Sequence, residues 1–65
     1  MSRKMLRERI RREWTREYVG AQVGITSEAI RLIETGRRDP SYHVLAKLEE
    51  LFGMTHRELF AADSE

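Results

Sequence analysis

The chain has no cysteine, a single proline, few aromatics and almost no net charge: twelve Lys plus Arg stand against eleven Asp plus Glu, leaving +1 over 65 residues. Without cysteine there are no disulfides and no thiolate metal sites, which predicts an intracellular protein. The basic opening Met1-Ser2-Arg3-Lys4-Met5 is followed by no apolar run, so neither a signal peptide nor a membrane span is expected. Hydrophobic residues make up 40% of the chain. That suffices for one modest core and a single domain over 1–65, and excludes a two-domain cleft.

What charge there is falls unevenly. Residues 1–14 carry six basic and two acidic side chains, residues 15–40 four of each, and residues 41–65 two basic and five acidic. The balances are therefore +4, 0 and −3. Such a polarised chain suits a module that turns one face to a polyanion.

Helix signals recur along the whole chain. Ser2, Thr15, Thr26, Ser41 and Thr55 each precede a run with helical apolar spacing, and each hydroxyl can accept an otherwise unpaired first-turn amide. Thr55 with Glu58 has the spacing of a capping box. Gly24, Gly36 and Gly53 mark helix ends, and Pro40 bars continuation. Five helices are predicted, over 3–13, 16–23, 27–35, 42–52 and 56–61. Their apolar faces are Leu6, Ile10 and Trp14; Val19 and Val23; Ile30 and Ile33; Val44, Leu45, Leu48, Leu51 and Phe52; and Leu59 and Phe60. No segment alternates as a strand does. The fold class is all-α.

The junction between the second and third helices is the most specific feature. Two helices that cross steeply over a three- or four-residue turn need a small residue where they touch, a residue tolerant of a left-handed backbone in the turn, and apolar anchors. Gly20 and Gly24 meet the first two needs. Val19, Val23, Ile25, Ile30 and Ile33 meet the third. The joint pattern over about 16–35 is that of a helix-turn-helix.

The stretch Thr15-Arg16-Glu17-Tyr18-Val19-Gly20, then Val23-Gly24-Ile25-Thr26, then Ile33-Glu34-Thr35-Gly36-Arg37-Arg38-Asp39-Pro40-Ser41, resembles the lambda-repressor/Cro-like (XRE) helix-turn-helix regulators. So does the close, Leu51-Phe52-Gly53-Met54-Thr55 with Glu58-Leu59-Phe60. The resemblance spans residues 6–60. It implies a compact five-helix domain that binds double-stranded DNA, with the third helix in the major groove. It also implies an ion pair between Arg9 on the first helix and Glu34 at the end of the third. Two positions depart from the family pattern. Arg16 stands where Gln is usual, and Leu32 occupies a place often polar or basic, with Arg31 one position earlier.

On a helical wheel, Ile30 and Ile33 define the buried side of the third helix. Ser27, Glu28, Arg31 and Leu32 are therefore the expected base readers. Glu28 suits a cytosine amino group, Leu32 a thymine methyl, and Arg31 a guanine or a phosphate. Backbone contacts are expected from Arg16, Thr26, Thr35, Arg37, Arg38, Ser41 and Tyr42, which flank that helix with cations or free donors. One such helix reads only a few base pairs, so a homodimer over two half-sites is expected, with Phe52, Met54, Leu59 and Phe60 as interface candidates. No cofactor, metal, small-molecule domain or membrane partner is expected. The localisation that follows is the cytoplasm of a prokaryote or phage host. His43 and His56 sit on separate helices, and neither a P-loop nor an H-E-x-x-H occurs, so the chain is not expected to be an enzyme. The rival reading is a protein-interaction module, an antitoxin or antagonist that keeps the fold, which Leu32 on the reading face favours and Arg16 and Arg37-Arg38 disfavour.

Overall fold

The computed structural model describes residues 2–62. Five helices follow one another: α1 Lys4–Arg11, α2 Arg16–Val23, α3 Ser27–Glu34, α4 Tyr42–Phe52 and α5 His56–Leu59. The only β pairing among the described residues is an isolated antiparallel bridge between Arg3 and Ala62. Four of the five expected caps are formed. Thr15, Thr26, Ser41 and Thr55 accept from the amides of Tyr18, Ala29, Val44 and Glu58. Thr55 and Glu58 complete the reciprocal box.

α1 departs from the sequence reading at both ends and in its face. Its N-cap is Arg3 rather than Ser2, with no side-chain cap. The backbone of Arg3 is instead pulled toward the end of α3, its amide donating to the Glu34 carbonyl at 2.8 Å. The helix stops at Arg11, because Glu13 takes a left-handed backbone with φ 58°. No glycine advertises that turn, and the conformation costs a non-glycine residue about 1–2 kcal/mol. The buried face is Met5, Glu8 and Arg9, while Ile10 is 59% exposed. The polar residues are inside because buried or half-buried partners wait for them, so the apolar count misassigned the face. α5 ends at Leu59 rather than 61, since the Ala61 carbonyl accepts the Lys4 amide at 2.9 Å.

The core consists of Met5, Val19, Val23, Ile30, Ile33, Leu48, Phe52 and Leu59. Burying each large aliphatic chain of this kind contributes about 1.5–3 kcal/mol. Trp14 packs at the rim, 5.3 Å from both the Tyr18 and the Phe52 rings, so it bridges α2 and α4. Arg12 covers it from outside, its guanidinium 5.6 Å from the Trp14 ring and 5.2 Å from that of Phe52.

The α2–α3 turn sets the position of everything functional. A Cβ on Gly20 would lie 2.5 Å from the Ile25 carbonyl oxygen, so only glycine lets the two helices approach this closely. Gly24 follows with φ 85°, and the amides of Gly24 and Ile25 both donate to the Gly20 carbonyl, at 2.8 and 2.9 Å.

Candidate nucleic-acid interface

α3 buries Ala29, Ile30, Ile33 and Glu34. What it leaves accessible is Ser27, Glu28, Arg31, Leu32 and Thr35, of which Glu28 is exposed and the others half-buried. The candidate readers therefore share one solvent-open flank. With Arg9, Thr15, Arg16 and Glu17, the residues Ser27, Glu28 and Arg31 line an open cleft of about 370 Å³ between the starts of α2 and α3.

Electrostatics in the cleft are dominated by carboxylates that hold arginines. Glu34 is fully buried, and its oxygens accept from Arg9 Nε at 2.5 Å and Arg16 Nε at 3.1 Å. Arg9 also donates through Nη1 to the Trp14 carbonyl at 2.7 Å. No buried side-chain N or O among the described residues lacks a partner. On the surface above, Glu28 takes Arg31 Nη2 at 2.5 Å and Nε at 3.1 Å. The Arg31 hydrogen bonds hold the Glu28 carboxyl below its ordinary range, and Glu28 in turn raises the Arg31 pKa.

The expected backbone contacts differ in what they have left to offer. Arg37 and Arg38 are exposed directly after α3; their amides donate to the Leu32 carbonyl at 2.9 and 3.2 Å, and their guanidinium groups form no hydrogen bond or ion pair among the described residues. Thr26 and Ser41 accept amides as caps, at 3.1 and 3.2 Å, which leaves each hydroxyl proton for an outside acceptor. Tyr42, 86% exposed, stands at the start of α4. Arg16 spends its Nε on Glu34 but keeps a side chain 38% exposed. Thr35 is the exception. Its hydroxyl donates to the carbonyls of Arg31 and Leu32 at 3.0 and 3.2 Å, and its amide to Arg31, so it has no proton to offer a phosphate.

Two of the four candidate dimer residues must be withdrawn. Phe52 is 4% exposed and Leu59 fully buried, so both belong to the core and present nothing to a second chain. Met54 and Phe60 are half-buried and pack on that core, with the Arg3 guanidinium 4.4 Å above the Phe60 ring.

The sequence reading missed three partnerships. Arg16 reaches Glu34, Glu28 forks Arg31, and Arg3 bonds Asp39 at 2.6 Å and the Ile33 carbonyl at 3.3 Å. Only the second carried a signal in the sequence, an acid and a base at i,i+3 on one helix. The other two join residues 18, 30 and 36 positions apart. No helix among the described residues is long and apolar enough to cross a membrane.

Comparison with known proteins adds one finding. The family model described as Helix-turn-helix matches residues 4–59, most of the chain. No curated protein matches it.

Proposed function

The chain belongs to the XRE-type, lambda-repressor-like helix-turn-helix family of DNA-binding regulator domains, and from that premise we propose that it is a sequence-specific transcriptional repressor. It binds duplex DNA as a homodimer, with α3 in the major groove, in the cytoplasm of a prokaryotic cell or phage host. The observation that carries this reading is the open flank of α3 together with the exposed guanidinium groups of Arg37 and Arg38 shortly beyond its C-terminus, which form no ion pair among the described residues. Ser27, Glu28, Arg31 and Leu32 face the bases. Arg16, Thr26, Arg37, Arg38, Ser41 and Tyr42 grip phosphates on either side, which sets register without reading sequence.

The dimensions support a dimer. The molecule measures 28 × 23 × 22 Å, and successive half-sites lie about 34 Å apart along the duplex. One copy therefore occupies one half-site, and a second is needed for useful discrimination. Repression is the outcome expected where such a domain, seated on a promoter, occludes it.

Selection of bound duplexes from a random pool, followed by titration of the winner across salt concentrations, tests the reading. A palindromic winner bound by two chains is expected. Replacing both Arg37 and Arg38 with Ala should weaken binding to all sequences alike. It should also reduce the slope of log K against log salt by about 1.8, the share of two phosphate contacts. A protein that enriches no duplex even at low salt is not a DNA-binding regulator.

A further inference from the structure

Every arginine lining the cleft is held by a carboxylate, Arg9 and Arg16 by Glu34 and Arg31 by Glu28, whereas Arg37 and Arg38 outside it pair with no carboxylate among the described residues. The Glu28–Arg31 pair differs from the other two because it is accessible, with side chains 64% and 42% exposed. Glu28 occupies the Nε and Nη2 edge of the guanidinium. The opposite edge, Nη1 with the second Nη2 hydrogen, has no partner among the described residues. It remains the two-donor fork that matches the O6 and N7 acceptors of guanine.

Resting on the DNA-binding reading above, we propose that Arg31 reads a guanine and that Glu28 is its positioning residue, fixing the fork while cancelling its charge against sequence-independent binding. A guanine engages the open edge and leaves both bonds to Glu28 intact. A phosphate drawing Arg31 away strands the Glu28 carboxylate against a polyanion. The carboxylate thus penalises the unspecific mode and spares the specific one, a repulsive element of the kind that specificity requires. The sequence-independent attraction is left to Arg37 and Arg38, which lie beyond the reading turns.

The test compares Glu28→Gln, Glu28→Asp and Arg31→Ala on the selected duplex, on its single-base-pair variants and on random duplex. The Gln side chain removes the charge. Random-duplex binding should therefore rise roughly fivefold at 0.15 M salt, with the salt slope steeper by about 0.9, the effect of one freed cation. Discrimination at one G·C pair should fall with Glu28→Gln and vanish at that same pair with Arg31→Ala. Glu28→Asp restores the charge but shortens the reach, so it should recover the wild-type salt slope and not the discrimination. An unchanged slope and random-duplex affinity in Glu28→Gln overturns the proposal. So does loss of discrimination at a base pair that Arg31→Ala leaves untouched, which would make Glu28 itself a reader. If the wild type selects no duplex, the DNA-binding reading fails first and takes this inference with it. Unchanged circular dichroism and melting of each variant establish that folding is not the cause.

Discussion

Glu34 is inaccessible to solvent yet accepts from two arginines, and through Arg9 and Arg16 it ties the end of α3 to α1 and to the start of α2. Breaking a buried pair outright costs about 3–5 kcal/mol; losing Arg9 leaves Glu34 only the half-exposed Arg16, so the cost falls toward that figure without reaching it. Arg9→Ala should therefore lower the thermal midpoint sharply. A midpoint within a degree or two of the wild type would show that water reaches Glu34 readily. Glu8 follows a different course. The hydrogen bond from Arg12, then that from Arg11, lowers its pKa from 4.5 to about 2. A carboxylate depressed in this way contributes its stability above the unfolded-state value and loses it as pH falls through the folded-state value. Denaturant midpoints should thus decline between pH 4.5 and about 2, and Glu8→Gln should flatten part of that decline. Arg11 is 68% exposed, so solvent screening keeps its share of that contribution below about 1 kcal/mol, and the larger part rests on the half-buried Arg12.

At the scale of elements, the α2–α3 unit is held by a close approach that one methyl group would disturb. Gly20→Ala places its Cβ 2.5 Å from a backbone oxygen that has no flexible chain to give way. The helices must then separate, at a cost of about 1–3 kcal/mol. Duplex affinity should fall beyond what the loss of folded protein explains, since α3 would be re-aimed relative to Arg16. Unaltered crossing geometry and stability in Gly20→Ala would contradict this. The same unit was the most legible part of the sequence, because glycine spacing, hydroxyl caps and apolar anchors are all local signals. α1 was less legible. Its helical nature was plain, but its buried face was set by Glu8 and Arg9, whose places inside depend on Arg12 at the C-cap of that helix and on Glu34 some 25 positions away.

Across the whole molecule the two ends of the described chain meet, at Arg3 and Ala62. Arg3 pairs with Ala62 through the backbone, bonds Asp39 and the Ile33 carbonyl, and covers Phe60, so one residue fastens α3, the segment after it and the C-terminal end. Arg3→Ala should cost about 1–2 kcal/mol and speed amide exchange at Lys4. An unchanged exchange rate there would show the clamp to be dispensable. The sequence by itself determined the all-α class, the five helices, the turn at Gly24 and the outward flank of α3. Each of these follows from 3.6-residue periodicity, caps and glycines acting within a few positions. Tertiary structure alone decided that Phe52 and Leu59 are core, that Thr35 spends its proton inside α3, and that Arg3 and Arg16 serve as struts. An apolar or cationic side chain looks the same in the sequence whether its partner lies across the fold or in solvent. Only packing brings the carboxylate, the carbonyl or the ring within reach.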